Sequence, residues 1–228
     1  SAFTPYTHFA STAYCTPSTT EAWTCGTNCE ANPDFAPVAS GGDGEIDTEP
    51  TLAPLDANLF PGVPSNVEVH AGFYESFTKS AVSVLSAAQK SIAAGNTTRV
   101  TVVGHGLGGA IASIAAVYLQ LHIHGVKIQA FTFGQPRVGN EAFANYVDAK
   151  LDITRINNKK DPSPILPGLF LGYTSFSGEV HIGENNIWYA CPGQDNLSTM
   201  CSTGDVPTLF DGDVNDHGGP YNGIEMGC

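Results

Sequence analysis

The stretch VVGHGLGGAIA, residues 102–112, restricts this chain more than any other. A β-branched run enters a turn with glycine at 104, 106, 108 and 109, and small residues open a helix directly behind it. A strand that turns this sharply into a helix lifts the apex residue above the sheet, and flanking glycines let helix and strand approach closely. The frame is G-x-S-x-G with the serine replaced, because position 106 is glycine. In such a frame the backbone N–H after the apex, here that of Leu107, points at an incoming oxyanion. A phosphate-binding turn is the competing use of such glycines, and no lysine follows to make a P-loop.

The rest of the chain sets bounds on the apex. At 228 residues it is long enough for one sizeable domain, expected to span 1–228. A net charge of −13 argues against nucleic acid and anionic membranes as partners. No apolar run is long enough to cross a bilayer, and Ser1 opens the chain without a charged-then-apolar leader, as in a processed secreted protein. Six cysteines point to an oxidising compartment. Cys25 with Cys29 and Cys191 with Cys201 are the preferred local pairs, leaving Cys15 with Cys228, although six cysteines permit fifteen pairings. Their spacings match no zinc pattern, and nothing calls for a metal or other cofactor. Asn96 and Asn196 each open a glycosylation sequon.

Phe73, Phe77, Ala81, Leu85, Ala88 and Ile92 recur at three or four residues, which predicts an amphipathic helix ending at Gly95-Asn96. RVTVVG predicts a buried strand, and residues 107 to about 123 a helix apolar nearly all round, stopped by Gly125. KIQAFTFG predicts the next strand, residues 140–151 a helix with Asn140 as N-cap, and DITRINN another strand. EVHI and IWYAC flank Gly183–Asn186 as a hairpin. Strand and helix alternate, so the expected fold is α/β with a mostly parallel sheet flanked by helices. Residues 1–15 are expected to be a short helix or an arm with a disordered-looking start at His8, and residues 25–70 to be loop.

A nucleophile on this kind of turn is followed in chain order by an acid and a histidine. Asp161 lies just past DITRINN in a loop stiffened by Pro162 and Pro164, and His217 lies close to the C-terminal end. Asp216 and Asp152 are rival acids. His105 is expected to support the turn, His70 and His181 to be packed or surface groups. His122 and His124 stand two apart on a helix and make a poor metal pair.

HAGFYESF, VTVVGHGLGGAIA, FTFGQPRVGN, INNKKDPSPILP and DHGGPYNGIEMGC together resemble the secreted fungal class 3 lipases, related to feruloyl esterases, with the α/β-hydrolase fold. The resemblance implies three disulfides, a lipid or other ester as substrate, and cleavage by a Ser–Asp–His triad. The acid falls on Asp161, the base on His217 and the nucleophile on Gly106, which has no hydroxyl. It also implies two strands between the cysteine-rich start and residue 67, one beside the strand that carries the turn, with a second oxyanion donor after them. No β-branched run of strand length appears there, so strands are expected to be missing or rearranged. The edge along residues 98–104 would then be open to the segment 30–66, a rearranged strand or a second copy of the chain. The expectations are an ester hydrolase impaired at Gly106 or, alternatively, a non-catalytic acyl-chain binder with Ile165, Leu166, Leu169 and Phe170 as pocket wall.

Overall fold

A computed structural model describes residues 1–40 and 48–228. In chain order its helices are α1 (Thr4–Thr12), α2 (Pro17–Glu21), α3 (Thr27–Glu30), α4 (Ala71–Gly95), α5 (Leu107–His122), α6 (Glu141–Lys150) and α7 (Ser202–Asp205). Its strands are β1 (Leu52–Pro54), β2 (Glu68–His70), β3 (Arg99–His105), β4 (Lys127–Phe133), β5 (Gly139–Asn140), β6 (Asp152–Asn158), β7 (Tyr173–Thr174), β8 (Glu179–Ile182) and β9 (Trp188–Cys191). The main sheet runs β3-β4-β6-β8-β9, parallel except for the β8–β9 hairpin.

Alternation along the strands divides the side chains between two faces. Val100, Val102, Ile128, Ala130 and Ile153 pack with Phe73 and Phe77 of α4 and with Ile114 and Val117 of α5. Val103, Phe131, Phe133 and Ile156 face the other way, onto Phe3, Tyr6 and Ala10 at the N-terminus. Tyr6 stacks on Phe131 with ring centroids 4.1 Å apart. The start of the chain is therefore a helix that covers one face of the sheet. This corrects the expectation for His8: it lies in α1, with Nδ1 2.9 Å from Asn28 Oδ1. The three disulfides pair Cys15 with Cys228, Cys25 with Cys29 and Cys191 with Cys201.

Residues 25–70 are not all loop. They contain α3, β1 and β2, and β1-β2-β5-β7 form a small antiparallel sheet apart from the main one. Residues 41–47, within the segment where strands were expected to be missing, lie outside the described residues. Among the described residues no strand pairs with the outer edge of β3. Gly106 N–H donates to the Phe133 carbonyl and Lys127 N–H to the Thr98 carbonyl. Even-numbered residues of β3 thus direct their N–H and C=O to β4, and the backbone groups of Thr101, Val103 and His105 point to the open side.

Candidate active site

The apex of the β3–α5 turn is set by glycine at three positions. Gly106 has φ +55° and ψ −128°, in the left-handed half of conformational space that side chains disfavour. A Cβ at Gly104 would collide with the Gly108 carbonyl, so this glycine brings strand and helix together. The matching glycine on the helix is Gly109, whose Cβ would lie 3.3 Å from Gln135 and Thr132; a Cβ at Gly108 would meet nothing. Leu107 opens α5, so its N–H has no acceptor within the helix. Gly104, Gly106 and Gly109 also satisfy the G-x-G-x-x-G spacing of a dinucleotide turn, so spacing alone does not exclude that reading. Position argues against it: the imidazole of His217 stands beside the apex, 2.8 Å from where a Cβ at Gly106 would be.

A Cβ built on Gly106 lies 2.8 Å from His217 Nε2 and 3.2 Å from Cε1. On the far side of the ring, Nδ1 is 2.9 Å from Asp161 Oδ2. A carboxylate only accepts, so Nδ1 carries the proton and Nε2 turns its lone pair toward the apex. Asp161 is 1% exposed, and its Oδ1 accepts from the Ser163 N–H at 2.9 Å. The Ser163 hydroxyl stands 2.9 Å from the same Nδ1. Gly106, Asp161 and His217 thus come together from β3–α5, from the loop after β6 and from a 3-10 turn at Val214–Gly218. The rival acids lie elsewhere. Asp152 pairs with Lys127 on the surface at 2.7 Å, and Asp216 accepts from the Lys160 N–H at 3.1 Å.

His105 ties this cluster to the N-terminal arm. Its Nε2 lies 2.7 Å from the His217 carbonyl oxygen, which only accepts, so Nε2 carries the proton and Nδ1 accepts from the Tyr14 hydroxyl at 2.5 Å. The Tyr221 hydroxyl donates to the same carbonyl at 3.1 Å. Burial pushes the Tyr221 hydroxyl well above its ordinary pKa, and the neighbouring Asp161 carboxylate adds to the effect. Tyr14, Ser163 and Tyr221 were not identified from sequence, since no local spacing marks them. Burial, reinforced by His217, lowers the His105 pKa from 6.5 to about 4. A lowered histidine pKa means the unfolded chain binds the proton more readily. The stabilisation from neutral His105 is complete above pH 6.5 and is lost as the pH falls to about 4. The full difference is about 3 kcal/mol. Urea unfolding between pH 7 and 4 is expected to show a steeper loss in this chain than in a His105→Gln variant; equal slopes would refute the assignment.

Of the remaining histidines, His124 is exposed past the end of α5 rather than on it, and the other three have structural partners. His122 Nε2 meets the Leu59 carbonyl at 2.8 Å, His70 Nδ1 caps α4 by accepting from Gly72 N–H, and buried His181 lies between the Met200 and Lys159 carbonyls. No group of three or more metal-ligating side chains occurs among the described residues. An apolar groove of about 610 Å³ begins at Ile165, four residues beyond Asp161. Ile165, Leu166, Leu169 and Phe170 all line it, together with Leu209 and Phe210. Phe170 is 90% and Phe210 99% exposed, so two phenyl rings of its lining stand out into solvent. Gly106, Asp161 and His217 themselves lie outside its lining.

A parallel sheet carrying a glycine-built strand–helix apex, with an aspartate and a histidine delivered from later loops, defines an α/β-hydrolase fold. The chain belongs to the class 3 lipase family, whose sequence model matches residues 44–171. It is 34% identical over 170 residues to the secreted mono- and diacylglycerol lipase MDL2 of Malassezia globosa, covering 73% of this chain and 54% of that one. It is 30% identical over 158 residues to the secreted mono- and diacylglycerol lipase 2 of Gibberella zeae, covering 62% of this chain and 39% of that one. The chain spans about half the length of the curated relatives it matches. Among solved structures, the Rhizomucor miehei lipase–propeptide complex superposes with a TM-score of 0.82 at 26% identity, covering 100% of this chain and 81% of that one. A triacylglycerol lipase described as having a serine-protease triad at its catalytic centre gives 0.81 at 26% identity, covering 99% of this chain and 94% of that one.

Proposed function

We propose that this chain is one secreted domain over residues 1–228, built to hydrolyse acylglycerol esters, whose acyl-enzyme route is closed at Gly106. The observation that carries the reading is the 2.8 Å between His217 Nε2 and the place where a serine Cβ would begin. In the intact form of this chemistry a serine hydroxyl at the apex attacks the ester carbonyl. His217 takes its proton, Asp161 holds the imidazole in the required tautomer and stabilises its charged form, and the Leu107 N–H receives the oxyanion. Every part except the attacking atom is supported by the geometry described above. The glyceride class rests on the names of the relatives. Asn96, exposed at the C-terminal end of α4, and Asn196 are the proposed glycan acceptors. The test is ester hydrolysis by this chain and by Gly106→Ser; a folded serine variant that hydrolyses no ester would refute the reading.

The groove favours a second reading, a binder of single acyl chains without turnover, because its volume falls in the range of small-molecule sites. Titration calorimetry with a medium-chain fatty acid is expected to show heat, with a rise in melting temperature at saturation. Absence of both would exclude it.

A further copy of the chain is the proposed partner at the β3 edge. The strand RVTVVGH is β-branched, carries no proline, lysine or acidic residue, and holds its one charge, Arg99, at its very start, so little blunts this edge. Two such edges pair antiparallel about a twofold axis at Thr101. Because the Thr101 N–H points away from β4, Thr101→Pro removes an intermolecular donor and leaves the ladder within the chain intact. Sedimentation at micromolar concentration is expected to show a dimer that Thr101→Pro converts to monomer. A monomer in both would remove the partner.

A further inference from the structure

We propose that the site transfers acyl groups directly from an ester to a small exogenous nucleophile, with no covalent intermediate. This rests on the Asp161–His217 assignment above and adds an activity to it. Among the described residues, and setting aside Gly106's own chain neighbours, the atoms within 4 Å of the Cβ position at Gly106 are His217 Nε2 and Cε1. Among the described residues no other side chain comes that close to the apex, and the one that does presents a hydrogen-bond acceptor. Nε2 is that acceptor because the proton on Nδ1 is committed to Asp161 at 2.9 Å. A serine would contribute one carbon and one hydroxyl to this space. Water, methanol or hydroxylamine matches that group in size and donates to Nε2 at an ordinary hydrogen-bond length.

The step balances without an oxidant or cofactor. The nucleophile, H–Nu, attacks the ester carbonyl carbon as its proton passes to His217 Nε2, and Asp161 stabilises the imidazolium. The carbonyl π pair moves onto oxygen, which the Leu107 N–H at the positive end of α5 receives. The tetrahedral species collapses, the alkoxide leaves and recovers the proton from Nε2, and RCOOR′ plus H–Nu become RCO–Nu plus R′OH. General-base assistance of this kind contributes about 10²–10⁴-fold. Because the nucleophile arrives from solution, the rate follows its concentration, and a reagent that traps serine nucleophiles has nothing to modify.

The experiment uses the full chain with p-nitrophenyl butyrate and increasing hydroxylamine, quantifying butyryl hydroxamate and recording the intact mass during turnover. The expected result is a rate linear in hydroxylamine, no acyl adduct, insensitivity to phenylmethylsulfonyl fluoride, and a loss of about 10²-fold in His217→Ala and His217→Gln. Circular dichroism checks that both variants fold; the His217 ring is one-third exposed, so its replacement leaves no buried void. Gly106→Ser, run in parallel, is expected to acquire the acyl adduct and sensitivity to the sulfonyl fluoride. A rate that equals that of His217→Ala at every hydroxylamine concentration overturns direct transfer. If Gly106→Ser is active at the same time, the hydrolase reading stands alone; if it too is inactive, both fail together.

Discussion

Gly106→Ser is expected to raise ester hydrolysis by about 10³-fold or more while lowering the melting temperature. Loss of a triad nucleophile costs on the order of 10⁶ in turnover, and absence of one oxyanion donor about 10²–10³. The described part of the chain supplies one donor, the Leu107 N–H, so restoring the hydroxyl recovers the first factor less the second. The stability cost has a separate origin. At φ +55° and ψ −128° a side chain is strained by about 1–3 kcal/mol. In a domain of this size each 1 kcal/mol shifts the melting temperature by about 2–4 °C. The new Cβ also starts 2.8 Å from His217 Nε2, so the imidazole must yield by a few tenths of an ångström. It can yield, because that side chain is one-third exposed and reaches the apex from its free end. Gly106→Ala separates the two effects: it carries the same strain and no hydroxyl, so it is expected to melt early and to gain none of the serine variant's hydrolysis. Thermal scans and a p-nitrophenyl butyrate assay on the three proteins decide the matter. Equal activity in the alanine and serine variants would mean that the apex is not the point of attack.

The parts of the molecule legible in sequence are those whose partners are periodic or adjacent. Phe73, Phe77 and Ala81 announce α4 because they repeat at helical spacing, and all three are buried. DITRINN announces β6 because its β-branched run stops at a lysine pair and a proline loop, and Asp161 follows from that stop. The small sheet gave no such signal. Its strands are two or three residues long, and β2 pairs with β5 across about seventy positions of sequence, through Val69 and Gly139. The surroundings of His217 were hidden for the same reason. Tyr14 lies far from it in sequence and reaches its carbonyl only through His105, while Ser163 looks like an ordinary loop residue until the fold sets its hydroxyl beside Nδ1. The glycine frame was read correctly at Gly104 but not at Gly108, since only coordinates distinguish a glycine needed for contact from one that borders open space.

Removing the Cys15–Cys228 disulfide as a serine pair is expected to cost about 5 kcal/mol, more than either of the other two bridges. The loop it closes has a sequence separation of 213, against 10 for Cys191–Cys201 and 4 for Cys25–Cys29. Constraint of the unfolded chain grows with the logarithm of that length, giving about 5, 3 and 2 kcal/mol. The native contacts at the bond predict a functional loss as well. Tyr14, next to Cys15, bonds to His105, and His105 holds the carbonyl of His217. On the other strand of the tie, Gly227 accepts at its carbonyl from the Ser11 hydroxyl at 2.6 Å and from Asn28 Nδ2 at 2.9 Å. Without the bridge, these bonds and the packing of Phe3 and Tyr6 on Phe131 are what hold α1 and the Val214–Gly218 turn in register with the apex. In the Gly106→Ser background, activity is therefore expected to fall when the Cys15–Cys228 pair is replaced and to hold when Cys25–Cys29 is replaced. Urea unfolding alongside the ester assay measures both quantities. If the two replacements cost equal stability, the arm is held by packing rather than by its covalent tie; if activity survives the loss of the long bridge, Tyr14 and His105 do not position His217.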